Sequence, residues 1–299
     1  MMYHIPVLLN ECIEGLNIRP EGTYVDVTFG SGGHSRGILE KLTTGRLIAF
    51  DQDPDAAQNL IHDDRFLFIQ QNFRYLKNFL KFNGIHQIDG LLADLGISSW
   101  QIDRPDRGFS TRSEGPLDMR MNQAGGNSAA DIINNYATEQ LAGIFRKYGE
   151  IDNAGKLAAE IGKARDQHQI ENSAGLKEIA VRLAPRGKEN QYLAKVYQAI
   201  RIEVNEELAA LAELLISTEE ILVPGGRFVV LSYHSLEDRL VKNFFRTGNL
   251  EGKPVKDFYG NLITTFRPVN RKAIVPSPKE QANNPRSRSA KLRIAEKNG

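Results

Sequence analysis

A glycine-rich turn, Gly30-Ser-Gly-Gly-His34, precedes two isolated carboxylates, Asp51 and Asp94, each of which closes an apolar run. Glycines in such a turn let the backbone pass close to a ligand while the N–H groups of the following helix point at it. A carboxylate about 20 residues further on, at the end of the second strand, can accept both hydroxyls of an adenosine ribose. Gly32, Gly33, His34 and Asp51 are therefore candidate nucleotide contacts. Phe73 could flank an adenine ring, and Gln101 could hydrogen-bond the same ligand from a short loop beyond Asp94. Asp94 itself falls opposite the point where a nucleotide held by the turn would place its reactive end. Each residue has a plainer reading too: a tight βα turn, a core phenylalanine, a helix cap, a solvated loop. Asp53-Pro54 reads as a helix start, and His234 either faces the site or is satisfied locally.

The elements needed to position these residues are legible. Short β-branched runs (Tyr24 to Thr28, Arg46 to Phe50, Phe66 to Ile69, Gly90 to Ala93) alternate with helix-like stretches, the pattern of a parallel α/β sheet. Each run ends in polar residues, and ligands bind at that edge of open sheets. After Arg104 the alternation stops. A loop rich in Gly, Arg, Asp and Met leads into one or two capped helices from Ser128 to Gly149, two more up to Pro185, and one long helix carrying Leu193 through Leu215. Pro224-Gly-Gly226 then turns the chain into a buried-type strand, Arg227 to Tyr233. The expected fold is α/β and Rossmann-like, with an all-helical insertion: residues 1–112 and 209–299 form one domain and 113–208 the inserted one.

Composition adds exclusions. With 299 residues, 41% hydrophobic and 25% charged, this is an ordinary globular chain of net charge +1, which by itself predicts neither a nucleic-acid nor an acidic partner. From Arg267 onward, however, nine basic residues stand against Glu280 and Glu296. The single cysteine, Cys12, cannot form an intramolecular disulfide, and no metal-ligand spacing is present. Lacking a leader or membrane-span pattern, the chain reads as cytoplasmic with no membrane partner, and a homodimer is left open.

The ordered motifs Tyr3 to Leu9, Asp26 to Ser35, Asp51-Gln-Asp-Pro54, Asp94 to Ser99, Arg107-Gly-Phe-Ser110, Pro116 to Met121, Ser232 to Arg239 and Asn284 to Arg293 make the chain resemble the ribosomal RNA small-subunit methyltransferase H family (RsmH, also called MraW). The resemblance implies a class I, S-adenosylmethionine-dependent enzyme that methylates N4 of a cytidine in the decoding region of 16S rRNA, with 16S rRNA or the small ribosomal subunit as partner. It carries cofactor binding onto Gly32, Gly33, His34, Asp51, Phe73, Asp94 and Gln101, in agreement with the strand-end reading. Ser31, Trp100 and the segment Asn190 to Ala194 depart from the family pattern.

The lone pair of a cytosine N4 is delocalised into the ring, so the amine needs an acceptor for its N–H groups as it becomes tetrahedral; Asp94 or the backbone carbonyls of Asp94 to Gly96 could supply it, and Asp94 is the candidate catalytic residue. The base must be unpaired or flipped, with Phe109, Trp100 or Tyr233 to stack on it and Arg107, Arg112, Arg120 and the basic tail for phosphates. Two other readings compete: a nicotinamide-dependent oxidoreductase, which the glycine turn and Asp51 would also suit, and a non-catalytic RNA-binding assembly factor.

Overall fold

The computed structural model describes residues 6–299, so Tyr3, His4 and Ile5 of the first motif lie outside the described residues. The chain forms two compact units, residues 1–96 with 208–299 and residues 97–207. In the first unit the order is α1 (Leu9–Leu16), β1 (Thr23–Asp26), α2 (Gly33–Leu39), β2 (Arg46–Asp51), β3 (Phe66–Gln70), α3 (Leu76–Phe82) and β4 (Ile88–Asp94). Helices α4 (Ser99–Asp103), α5 (Ala129–Asn135), α6 (Thr138–Gly149), α7 (Ala154–Arg165), α8 (Ser173–Leu183) and α9 (Glu189–Asn205) follow in the second unit. The sheet unit resumes with α10 (Glu207–Ile221), β5 (Leu222–Ser232), α11 (Ser235–Thr247), β6 (Phe266–Pro268), α12 (Pro278–Asn283) and β7 (Lys291–Lys297).

The seven strands run in the order β3-β2-β1-β4-β5-β7-β6, parallel through β5 and antiparallel at β7 and β6. This is a Rossmann-like α/β sheet. Its order reverses between β1 and β4, which opens a crevice at their carboxyl ends. Central strands read as unbroken apolar runs because both faces are covered: Val25, Ile48, Leu91, Phe228 and Val230 pack on one side, and Tyr24, Leu47, Leu92, Val229 and Leu231 on the other. Among the described residues no helix is long and apolar enough to cross a membrane.

The helical unit has its own core around Phe145, Leu157, Ile161, Leu176, Val196 and Ile200. Ser128 starts α5 through a capping box with Asp131, as its sequence suggests. The division after Gly96 falls earlier than Arg112, because Phe109, Leu117, Met119 and Met121 all bury their side chains in this core. Arg107 is buried as well, donating from Nη2 to the carbonyls of Arg120 and Met121 at 3.1 and 3.0 Å. It braces the loop and is not available to a phosphate. Phe109, 6% exposed, is likewise a core residue and not a stacking platform.

The long helix from Leu193 to Leu215 is instead two helices, α9 and α10, separated at Glu206, whose φ is 49°. The apolar spacing runs through the break and gives no sign of it. Arg201 spans the bend, donating from Nε and Nη2 to the Glu207 carboxylate at 2.8 and 2.9 Å. The basic tail, too, is structure: β7 pairs with β5 over six residues, Arg293 holds Asp238 at 2.7 Å, and Lys297 donates to the carbonyls of Glu219 and Leu222.

Candidate functional site

The carboxyl ends of β1, β2 and β4 gather the polar residues. Beyond β1, Gly30 and Gly32 take φ values of +52° and +75°, the left-handed region that glycine enters without steric cost. A Cβ on Gly33 would come within 2.2 Å of the Pro6 ring, so this glycine serves close packing of α2. The turn is tied to β2 by Asp51, whose Oδ2 accepts from Gly30 N–H at 2.7 Å and whose Oδ1 accepts from Asp53 N–H at 2.9 Å. Burial pushes the Asp51 carboxyl up to about 6 despite these two hydrogen bonds. Each oxygen keeps a lone pair, and the side chain is only half-buried.

Asp53 caps the following 3-10 turn, accepting from Asp55 N–H at 3.0 Å with Pro54 at the first position, as read from the sequence. Phe73 is partly buried against the core at the end of β3. Its neighbour Asn72 bonds Gln52 at 2.8 Å, so this loop is held beside the residue that follows Asp51.

Asp94, at the end of β4, sits in a ring of partners. Its N–H donates to Thr28 Oγ1 at 2.7 Å, its Oδ1 accepts from the Tyr233 hydroxyl at 2.7 Å, and its Oδ2 lies 3.7 Å from His34 Nδ1. The other ring nitrogen of His34 is 3.1 Å from the Val7 carbonyl. A carbonyl can only accept, so Nε2 carries hydrogen and Nδ1 is turned to Asp94. His34 is 6% exposed, and its polar contacts are to Val7 and Asp94. Burial raises the Asp94 carboxyl, while His34 and the Tyr233 hydroxyl act in the opposite direction.

Three supporting residues were not singled out in the sequence. Asp26, fully buried at the end of β1, accepts from Ser35 Oγ at 2.7 Å and Thr28 N–H at 3.0 Å, fixing the turn to α2. Their signal was an Asp, a Thr and a Ser flanking a glycine turn. Tyr233, considered for stacking, spends its hydroxyl on Asp94. His234 caps α11 by accepting from Glu237 N–H at 3.4 Å, the local alternative. Gln101 belongs to the helical unit, where its side-chain carbonyl accepts from Ser98 N–H at 2.9 Å in the capping box of α4.

The arrangement suits an adenosyl cofactor. Asp51 offers acceptors for a diol beside a glycine turn, and Asp94 offers a largely buried carboxylate oxygen across the crevice from that turn.

The chain matches the model of the MraW methylase family over residues 1–298. Ribosomal RNA small subunit methyltransferase H of Bacteroides thetaiotaomicron is 57% identical over 298 residues, spanning 99% of this chain and 98% of the relative. The protein of the same name from Cytophaga hutchinsonii is 54% identical, spanning 99% of this chain and 100% of its own. A putative methyltransferase from Streptococcus mutans, solved in complex with SAH, superposes with a TM-score of 0.44 at 11% identity, covering 98% of this chain and 99% of that one.

Proposed function

This chain belongs to the MraW methylase family, and from that premise we propose that it transfers a methyl group from S-adenosylmethionine to N4 of a cytidine in the decoding region of the small-subunit 16S rRNA, acting in the cytoplasm. The observation that carries the reading is the pair of strand-end carboxylates, Asp51 and Asp94, flanking one glycine turn where the strand order reverses. Family membership sets aside the nicotinamide oxidoreductase.

S-adenosylmethionine, when bound, supplies an electrophilic methyl on a sulfonium. Gly32 would open the turn to it while Gly33 lets α2 pack close behind, Asp51 would receive its ribose hydroxyls and Phe73 would border its base. Asp94 accepts an N–H of the cytosine amine, which localises the nitrogen lone pair towards the methyl carbon. Once methylated, the amine nitrogen would be cationic and would release a proton, which Asp94 would receive. Tyr233 holds Oδ1 of Asp94, which orients the carboxylate towards the amine.

Incubating the protein with labelled S-adenosylmethionine and small subunits from cells lacking it should place label in N4-methylcytidine on nucleoside mass spectrometry. Label in another nucleoside would overturn the assignment, and RNA binding without incorporation would favour the assembly-factor reading.

Asp51 gives a second expectation. Its carboxyl, at about 6 in the free protein, is protonated over a range where the unfolded chain is already ionised; its contribution to stability therefore falls as pH rises from about 4 to 6. Ribose hydroxyls donated to it favour the ionised form, so cofactor binding at pH 6 should release about half a proton per site. Calorimetry in buffers of different ionisation enthalpy reads this directly. In Asp51→Ala the release should vanish and affinity fall roughly tenfold to a hundredfold. Unchanged affinity would remove Asp51 from the site.

A further inference from the structure

The connection from α11 to β6 closes into a short hairpin that the strand-end site does not use. Asp257 N–H bonds the Asn261 carbonyl and Ile263 N–H the Val255 carbonyl, both at 2.9 Å, and Lys256 bridges to Leu262. The Asp257 carboxylate pins the tip, accepting from the amide of Asn261 at 3.0 Å and from the backbone N–H groups of Asn261 and Tyr259 at 2.8 and 2.9 Å. On this tip stand Phe258, 97% exposed, and Tyr259, 85% exposed, their rings edge to face at 5.6 Å. The segment leading from α11 to the hairpin is tied to that helix, where Asn243 Nδ2 donates to the Leu250 carbonyl at 3.0 Å.

Next to Asn243 on the same helix is a basic cleft. Lys242 and Arg246, one turn apart on α11, and Arg271 beyond β6 line it above Phe245 and Ile294. Arg293 at its edge is held by Asp238. Lys242, Arg246 and Arg271 are exposed, and none has a carboxylate partner among the described residues. Some other exposed cations of this chain are paired, Lys163 with Glu160, Arg182 with Glu178 and Lys253 with Glu251.

We propose that cleft and hairpin form one binding element for a single-stranded stretch of the RNA substrate, with phosphates on Lys242, Arg246 and Arg271 and an unstacked base on Phe258 or Tyr259. A cationic track joined to aromatic rings is how proteins hold unpaired strands, since every base has a face to stack and every linkage a charge. The proposal rests on rRNA being the substrate.

Two variants test it: Lys242→Gln/Arg246→Gln/Arg271→Gln, and Phe258→Ala/Tyr259→Ala. All five side chains are exposed or line an open cleft, and a thermal melt checks that each variant folds. Against a short single-stranded oligoribonucleotide, the charge variant should flatten the slope of log affinity against log salt by about two, at about 0.7 per phosphate. The aromatic variant should weaken binding at least fivefold with the slope unchanged. With small subunits, both should raise KM and leave kcat alone. Parent-like oligonucleotide binding by either variant overturns the proposal, including the case where the hairpin docks a protein. Failure of the parent to methylate rRNA would overturn the function reading instead, while the oligonucleotide result would still stand on its own.

Discussion

Asp94→Asn should lower the single-turnover rate of methyl transfer about a hundredfold or more at saturating cofactor and RNA, the range for losing a positioned proton acceptor. The substitution keeps the shape of the side chain and can keep the Tyr233 hydrogen bond to Oδ1, so geometry changes little. What is lost is the charge that draws an N–H of the amine and receives its proton. A chemical rate within a few-fold of the parent would show that Asp94 serves only cofactor binding. Tyr233→Phe supplies the comparison. The Tyr233 hydroxyl favours the ionised carboxylate, so removing it leaves burial less opposed and raises the Asp94 carboxyl further. The acid limb of the pH–rate profile should then move to higher pH, with the plateau at high pH much less affected. A purely structural role for Tyr233 would lower the plateau and leave the limb in place.

The strand ends that make up the candidate site were legible because of how a parallel sheet presents itself. Strands covered on both faces read as apolar runs, and their polar last residues stand out: Asp26, Asp51 and Asp94 each end one. Spacing could not tell what those residues touch. Arg107 looks like an RNA contact in a Gly- and Arg-rich loop, yet it is 2% exposed and holds two carbonyls. His34 reads as a cofactor contact, and spacing gives no hint that its ring lies between the Val7 carbonyl and Asp94. Such choices depend on which long-range partner arrives, and a linear pattern carries no record of that. The break at Glu206 was hidden for a related reason: the apolar stripe stays in phase across it, and the ion pair of Arg201 with Glu207 that braces the bend involves residue types common on any helix surface.

Removing Lys291 to Gly299 should abolish cooperative folding, although composition alone makes this segment look like part of a basic tail for RNA phosphates. Lys291-Leu-Arg-Ile294 alternates, and alternation is the mark of a strand: Leu292 and Ile294 are buried at 0% and 5% exposure while Arg293 turns to Asp238. Net charge masked that period. Strand β7 lies between β5 and β6, so its loss strips six residue pairs from β5 and leaves β6 without a neighbour. Burying two aliphatic side chains contributes about 3 to 6 kcal/mol, and exposing the inward face of β5 and Phe266 adds a similar amount. That sum is on the order of the 5 to 15 kcal/mol by which a domain is stable. The truncated chain should therefore show no sharp thermal transition and rapid proteolysis, and it should lose cofactor binding along with RNA binding. Arg288→Gln, which removes a basic side chain exposed on the segment before β7, should melt within a few degrees of the parent. A truncated protein that melts like the parent and binds S-adenosylmethionine would show that β5 tolerates an open edge and that the segment is an appendage after all.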